Sequence, residues 1–253
     1  MRLFTVNHEG EMLPYDEYDF KTNNSEQDLE NILEKNPQYF FESSNILIIG
    51  RQITTNLNSI IDLLGVDKNG NSIIIELKRD RTPRETVAQI LEYASFVENL
   101  DYEQINEIFR NYYGGENELE EYHREYFSNE IHEKVSFNKN TKLLIIAQNI
   151  SKEIKQTAAY LRKSGLDIYC LEFKCFKTES GERIISSDFV VGEDEYKRQE
   201  VKLSSLPRVN KKDFMKELDL NGRFVFEHLF EFAETQDLVL IWGSKGFSLN
   251  VQY

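Results

Sequence analysis

Three ionisable residues interrupt two apolar segments that have the pattern of core β-strands. Asp62 lies within the segment 60–64 (IIDLL), and Glu76 and Lys78 lie within the segment 73–78 (IIIELK). Unpaired charge inside a sheet costs several kcal/mol even after the structure relaxes, so these side chains need compensating partners. The pattern predicts a β-hairpin with an ionisable cluster, and this cluster is the first candidate for a functional site.

The register of the hairpin decides whether the three charges meet. Glu76 and Lys78 are two residues apart on one strand and therefore share a face. A three-residue loop over 68–70, with Gly70 in the left-handed conformation, places Asp62 opposite Glu76, whereas a two-residue turn sends Asp62 to the other face. We expect the three-residue loop, because it gathers the charges into one cluster.

A cluster of this composition has a definite chemistry. Two facing carboxylates repel each other, and a bound divalent cation keeps both ionised. Oxygen ligands favour Mg²⁺ or Mn²⁺ over zinc. Lys78 beside Glu76 is suited to hold a water or hydroxide in line with a phosphorus atom and to stabilise developing charge. The residues favour metal-assisted phosphodiester hydrolysis; the alternative is an exposed strand with an ordinary Glu–Lys pair.

A wider pattern surrounds the hairpin. It consists of a Glu-x-x-Leu-Glu helix ending in Asn-Pro, the Ile-Asp-Leu-Leu-Gly strand, the Ile-Glu-Leu-Lys-Arg strand and a Gln-x-x-x-Tyr helix. In this order and spacing the motifs resemble the PD-(D/E)XK nuclease superfamily, specifically its RecB-like branch with the NucS-type (DUF91) endonucleases. The resemblance covers about residues 25–100, with a looser likeness over 141–176. Ile61 stands where the family often has proline before the aspartate.

The resemblance implies a fold class and an activity. The implied fold is α/β, with a restriction-endonuclease-like core in which helices flank a mixed central sheet, and a small C-terminal extension follows it. The implied activity is that of a Mg²⁺-dependent (or Mn²⁺-dependent) DNA endonuclease, acting on mismatched, branched or flapped DNA in repair or defence. A homodimer is plausible for such an enzyme, because each strand of a duplex needs its own site.

The matched positions carry the implied roles. Asp62 and Glu76 would bind the metal, with the Leu77 carbonyl as a third ligand, and Lys78 would be the catalytic base or the water-orienting group. Glu26 would reach the site from the first helix, with Glu30 as the competing choice.

Further residues would border the site and contact DNA. Gln89 and Tyr93 are four apart on one helical face and would contact the scissile strand; the alternative for Tyr93 is core packing. Arg79, Arg81 and Arg84 follow the catalytic strand and are candidates for phosphate contacts, with a solvated loop as the alternative.

The alternation of strand and helix patterns along the chain predicts two parts. Residues 1–192 would form the nuclease-like domain, with a core over about 25–176 and an acidic helical insertion over about 101–135. Residues 193–253 would form a basic linker and a small α/β extension, either a separate module or an edge of the same sheet. The tyrosines of the insertion are expected to pack against the body.

Charge and composition exclude several classes of protein. A net charge of −14 argues against coating of nucleic acid by bulk electrostatics, although residues 197–216 carry seven basic and two acidic residues. This basic stretch fits either a polyanion contact or a solvated linker. The apolar runs are too short for a membrane span, and no secretory signal is recognisable, so we expect a cytoplasmic protein. Cys170 and Cys175 are expected to be buried thiols.

Two other functions remain open at this point. The fold would also suit a non-catalytic nuclease-like module for DNA binding or assembly, although such a module has no physical reason to keep three converging charges. An RNA-directed nuclease is not distinguished by the sequence, because no element that reads a 2′-hydroxyl is recognisable.

Overall fold

The computed structural model describes residues 3–40, 46–115, 117–127, 135–178, 181–192, 211–236, 238–242 and 247–250. The chain divides into two compact units, Met1–Lys197 and Arg198–Tyr253. The predicted boundary at 192/193 adjoins residues outside the described ranges. Most of the basic stretch 197–216 also lies outside these ranges. The boundary and the linker therefore stay predictions.

In the described part of the first unit, eight strands form one mixed sheet. They are β1 (Leu3–Val6), β2 (Met12–Tyr18), β3 (Leu47–Thr54), β4 (Ile60–Val66), β5 (Ser72–Arg81), β6 (Thr141–Asn149), β7 (Ile168–Lys177) and β8 (Arg183–Val191). The strand order is β1-β2-β7-β6-β5-β4-β3, and β8 pairs with β7. The pairs β5–β6 and β6–β7 are parallel, whereas β4–β5 is antiparallel. The strand that carries Glu76 and Lys78 thus lies inside the sheet, between β4 and β6.

Helices cover both faces of this sheet. They are α1 (Glu26–Lys35), α2 (Pro37–Phe40), α3 (Thr86–Val97), α4 (Tyr102–Tyr113), α5 (Leu119–Tyr126) and α6 (Lys152–Lys163). The expected α/β class, a mixed central sheet flanked by helices, is confirmed.

The ends of two helices show how well local signals place them. Ser25 caps α1, because its hydroxyl accepts a hydrogen bond from the Asp28 N–H and the Asp28 carboxylate accepts one from the Ser25 N–H. Proline is favoured at an early helical position, so the sequence predicts that the next helix starts at Pro83, but α3 starts at Thr86. Pro83 instead opens a turn, in which its carbonyl accepts a hydrogen bond from the Thr86 N–H.

The sheet separates two hydrophobic clusters. On one face Ile74 of β5 packs with residues of α3 to α6, including Tyr93 and Phe109. On the other face Ile75 packs with Leu29 and other residues of α1. Because side chains alternate along a strand, Glu76 and Lys78 point to the same face as Ile74, which α3 covers.

The second unit contains its own small sheet. Its described elements are α7 (Lys211–Glu217), α8 (Leu220–Thr235), β9 (Val239–Trp242) and β10 (Phe247–Asn250). The strands β9 and β10 pair antiparallel as a two-stranded sheet that is separate from the eight-stranded one. The C-terminal strands are therefore not an edge of the main sheet.

Two further expectations from the sequence concern membrane-spanning helices and the two cysteines. Across the part of the chain that the structure describes, no helix is long and apolar enough to cross a membrane. Cys170 and Cys175 are both buried free thiols, as expected from the sequence.

Candidate active site

The β4–β5 hairpin has the predicted register. The paired residues include Leu63 with Ile75 and Val66 with Ser72. The same register places Asp62 beside Glu76. In the loop, the Asp67 carbonyl accepts a 2.9 Å hydrogen bond from the Gly70 N–H, and Gly70 has a φ of 78°. A left-handed residue at this position is inexpensive only for glycine. The three-residue loop expected from the sequence is confirmed.

The register brings three of the predicted side chains together. The Leu77 N–H donates a 2.7 Å hydrogen bond to Oδ2 of Asp62, so the Asp62 carboxylate reaches across to the backbone of β5. Lys78 Nζ lies 2.5 Å from Oε1 of Glu76. Glu76 is only 1% exposed, and its Oε2 is a buried atom for which the described residues supply no hydrogen-bond partner. Asp62, Glu76 and Lys78 therefore form one largely buried cluster.

Burial determines how the two carboxyls ionise. Burial, and after it the charge of Glu76, raises the pKa of Asp62 to about 7. Burial also raises the pKa of Glu76, although Lys78 acts in the opposite direction. For Lys78, burial lowers the pKa, but the charges of Glu76 and Asp62 outweigh it, so the pKa lies above its ordinary value. Both carboxyls are therefore harder to ionise than free ones in the absence of a cation, while Lys78 stays charged.

The donor set fits a divalent cation with oxygen ligands. One buried carboxyl, that of Glu76, and one partly buried carboxyl, that of Asp62, both with raised pKa values, are what a site for Mg²⁺ or Mn²⁺ would present. The Oε2 of Glu76 is unpartnered, and the backbone of Leu77 donates to Asp62. Within the described ranges no cluster of three or more His, Cys, Asp or Glu side chains could hold a metal ion. Mg²⁺ commonly keeps several waters and uses one or two carboxylates, so two are sufficient.

Glu30, one of the two candidate acids of α1, is held by β3. Its carboxylate accepts hydrogen bonds from Arg51 Nε at 2.9 Å and from Gln52 Nε2 at 3.0 Å. Glu30 is only 5% exposed, and its charge is among the causes that raise the pKa of Asp62. Both Glu30 oxygens are therefore engaged away from the Glu76–Lys78 pair.

Glu26, the other candidate, lies on the exposed first turn of α1. Its charge raises the pKa of both Glu76 and Lys78, so its carboxylate is close enough to act on that pair. Of the two acids, Glu26 is the one with an exposed carboxylate beside Glu76 and Lys78.

Arg51 and Gln52 of β3 are further residues near the cluster, and no motif of the sequence identifies them. Arg51 also donates from Nη1 to Asn31 and Glu34, at 2.8 Å each, and so ties β3 to α1. Gln52 lies between residues that pair with Leu63 and Ile61, which puts it beside Asp62, and it has a φ of 52°. A polar pair directly after an apolar strand segment was the one signal available in the sequence.

Of the two predicted residues of α3, Tyr93 lies close enough to the cluster for its charges to act on the Tyr93 hydroxyl. Tyr93 is buried, and burial, followed by the charges of Glu76 and Asp62, raises its pKa. Tyr93 also belongs to the hydrophobic core cluster with Ile74. It therefore packs in the core and also lies near the charged cluster. Gln89 Oε1 is a second buried oxygen without a hydrogen-bond partner among the described residues.

The three predicted arginines lie on the surface. Arg79 donates to the carbonyl of Asn24 at 3.2 Å. Arg81 and Arg84 both approach the Glu153 carboxylate, at 3.5 and 3.4 Å, and their side chains are 62% and 79% exposed. Most of each guanidinium of Arg81 and Arg84 is thus accessible to a ligand.

Together, the fold and the cluster define an α/β protein whose central sheet holds two coupled carboxyls and a lysine next to an apolar core. Residues 25–111, about a third of the chain, match the model of the Endonuclease NucS C-terminal domain. The matched segment includes α1, the β4–β5 hairpin and α3. The resemblance to NucS-type endonucleases is thereby confirmed for this segment.

Several solved structures are distantly similar. A structure of an EndoMS–dsDNA2 complex has 22% identity and a TM-score of 0.35, with 58% of this chain and 44% of that chain covered. A repair endonuclease from Pyrococcus abyssi has 22% identity and a TM-score of 0.34, with 59% and 48% covered. EndoMS in its apo form has 23% identity and a TM-score of 0.32, with 59% and 47% covered. The chain spans less than half the length of each of these chains. No curated protein matches the sequence.

Proposed function

We propose that the protein is a divalent-metal-dependent endodeoxyribonuclease that hydrolyses phosphodiester bonds. The observation that carries this proposal is the convergence of Asp62, Glu76 and Lys78, with one buried carboxylate oxygen unpartnered and both carboxyl pKa values raised. The match of residues 25–111 to a nuclease domain supports the same chemistry.

The metal would be Mg²⁺ or Mn²⁺. Asp62, Glu76 and the Leu77 carbonyl would hold it, and Glu26 would contact it through a water. When bound, the ion would act as a Lewis acid on the phosphoryl oxygen and lower the pKa of an attacking water.

Lys78 would act beside this ion as a charged, orienting group. Its raised pKa keeps the ammonium protonated near neutral pH, so we assign it to positioning the attacking water and stabilising negative charge rather than to proton abstraction. Tyr93 also keeps its proton, because its pKa is raised, and its hydroxyl would donate to an oxygen of the scissile strand. The unpartnered oxygen of Gln89 would accept a hydrogen bond from the substrate.

We propose DNA as the substrate and repair or defence as the setting, in the cytoplasm. Mismatched, branched and flapped DNA are the forms to compare, since one similar structure is a complex with dsDNA and another is a repair endonuclease. Arg79, Arg81 and Arg84 would contact phosphates. A homodimer would allow cleavage of both strands of a duplex.

Cleavage assays test this proposal. Labelled single-stranded, duplex, flapped and mismatched DNA would be incubated with Mg²⁺ or Mn²⁺, or with chelator, and with the wild type, Glu76→Ala and Lys78→Ala. We expect metal-dependent cutting that both substitutions abolish. Glu17→Ala and Lys174→Ala are matched controls, because these residues form an exposed pair 3.6 Å apart on neighbouring strands.

The second candidate function is a non-catalytic nuclease-like module for DNA binding or assembly. It would be supported if no substrate were cut while DNA binding remained the same in Glu76→Ala and Lys78→Ala. Including single-stranded RNA and an RNA–DNA hybrid in the same assay compares RNA with DNA as the substrate.

A further inference from the structure

The start of β4, which carries Asp62, is held differently from the rest of that strand. The backbone ladder between β4 and β5 runs from their loop as far as the pair of Leu63 with Ile75. Asp62 lies directly beyond this pair, and there its carboxylate accepts the hydrogen bond of the Leu77 N–H. Contacts outside the β4–β5 ladder therefore decide how close Asp62 lies to β5 and Glu76.

One such contact joins the loop before β4 to α3. Ser59, the last residue of that loop, donates a hydrogen bond from its hydroxyl to Oε1 of Glu92. Glu92 lies beside Tyr93 on α3, and Tyr93 packs in the same core cluster as Ile74 of β5. Because α3 is fixed on β5 by this core, the Ser59–Glu92 contact sets the start of β4 relative to β5.

The loop over 55–59 is closed by its own hydrogen bonds. The Thr55 N–H donates to the Ser59 carbonyl at 2.8 Å, and the hydroxyls of these two side chains lie 2.6 Å apart. The Asn58 N–H donates to the Thr55 carbonyl at 3.1 Å, and Thr55 is only 5% exposed. A buried and satisfied network of this kind is rigid, so a displacement at Ser59 is passed to Asp62, three residues further along β4.

We propose that Glu92 is a positioning residue of the candidate active site. By holding Ser59, it keeps the Asp62 carboxylate where one divalent cation can bind it together with Glu76. Glu92 would act through β4, without contact to the metal or to DNA. This inference rests on the proposed nuclease function and adds to it a residue outside the charged cluster.

Glu92 also has an electrostatic effect that must be separated from positioning. Burial raises the pKa of Tyr93, and the charges of Glu76 and Asp62 add to this effect. The charge of Glu92 acts in the same direction. Glu92→Gln removes the charge but keeps Oε1 as an acceptor for Ser59, whereas Glu92→Ala removes both. Positioning therefore predicts that Glu92→Gln behaves like the wild type, and a purely electrostatic role predicts that it behaves like Glu92→Ala.

The amide of Leu77 reports the position of Asp62 without metal, DNA or cleavage. In the full chain without divalent metal, its proton resonance should move upfield in Glu92→Ala, because the hydrogen bond to the Asp62 carboxylate weakens. Ser59→Ala, which removes only one hydroxyl, should cause the same shift and keeps the test available if Glu92→Ala does not fold. Glu92→Gln should leave the resonance in place. Glu98→Ala, at an exposed acid at the end of α3, is the matched control.

Metal affinity is the second readout. Calorimetric titration of the full chain with Mn²⁺, without DNA, should show a loss of affinity of roughly 10- to 100-fold in Glu92→Ala, the usual cost of removing an outer residue that orients metal ligands. Glu92→Gln and Glu98→Ala should bind Mn²⁺ as the wild type does. The double variant Ser59→Ala/Glu92→Ala should lose no more than Glu92→Ala alone, because both changes remove the same contact.

The outcomes separate positioning from the nuclease assignment. An unmoved Leu77 resonance in both Glu92→Ala and Ser59→Ala would overturn the positioning role, and so would an equal loss of Mn²⁺ affinity in Glu92→Gln and Glu92→Ala. Either result leaves the nuclease assignment intact if the wild type cuts DNA and Lys78→Ala does not. A wild type that neither binds Mn²⁺ nor cuts DNA would overturn the nuclease assignment, and the Leu77 resonance would still show whether Glu92 positions Asp62.

Discussion

Asp62 has very different ionisation behaviour in the folded and unfolded chain. Its ordinary pKa is 3.8, and in the folded protein burial and the charge of Glu76 raise it to about 7. An acid whose pKa rises on folding favours the folded state at low pH, and this contribution is lost as the pH rises from the lower value to the higher one.

The first prediction follows from that shift. Without divalent metal, Asp62→Asn should make the protein more stable than the wild type at pH 8, by a few kcal/mol at most, because it removes a desolvated charge and its repulsion with Glu76. The gain should shrink as the pH falls toward 4. Thermal unfolding in chelator across this range measures it. A destabilised variant at pH 8 would contradict the assignment.

The second prediction concerns metal. Mg²⁺ or Mn²⁺ should raise the melting temperature of the wild type, because ligands that bind only the folded state stabilise it. Asp62→Asn and Glu76→Gln should lose this response, whereas Glu17→Gln, at an exposed carboxylate, should keep it. Thermal shifts over a metal titration provide the measurement. A response of the same size in Glu76→Gln would place the ion elsewhere.

At the scale of elements, β3 and α1 are tied together through Arg51. The side chains of Arg51 and Glu30 are 18% and 7% exposed and form a 2.9 Å ion pair. Breaking a buried pair by removing one partner is costly, because the other charge is left uncompensated.

The third prediction uses this pair. Arg51→Met should destabilise the protein by roughly 3–5 kcal/mol. The loss is smaller to the extent that solvent reaches the Glu30 carboxylate. Adding Glu30→Gln to it should recover part of that loss, since the more buried of the two orphaned carboxylates is then neutral while that of Glu34 remains. Urea unfolding of the two single variants and the double variant gives the coupling. Additive losses would show that the two residues act independently.

Gln52 supplies the fourth prediction. A non-glycine residue with a φ of 52° inside a strand is strained, and β-branched residues tolerate this conformation least. Gln52→Val should cost about 1–3 kcal/mol, whereas Gln52→Gly should cost less because glycine adopts the conformation freely. Denaturant unfolding compares the two. If Val were tolerated as well as Gly, the strain would be absent.

Some elements could be read from the sequence and others could not. The register of the hairpin β4–β5 was predicted because, of the two loops that Gly70 allows, only the three-residue loop brings the three charged side chains to one face. The strands β1, β2 and β8 were not predicted. Proline and charged residues interrupt the alternation in β2, and its burial pattern has one buried residue in seven. Such strands are defined by the partners they pair with rather than by their own residues, and here β2 and β8 pair with β7 while β1 pairs with β2.

At the scale of the whole molecule, the sequence also left one feature of the fold open. The two units hold separate sheets, and the sequence could not decide between a separate module and an edge strand for the C-terminal tail. Strand pairing is a long-range choice, in which a short apolar segment fits any open edge equally well.

Some features of the candidate site were likewise predictable from the sequence, and others were not. The sequence alone determined the identity of the charged cluster, because three ionisable residues in apolar strands need one another, and it determined their common face through the loop. Only the tertiary structure showed that β3 binds the Glu30 carboxylate and leaves Glu26 exposed, since both acids lie on the same helix. It alone also showed the roles of Arg51 and Gln52, because these depend on contacts between segments far apart in the chain. Local spacing is encoded in neighbouring residues, whereas such contacts exist only after packing.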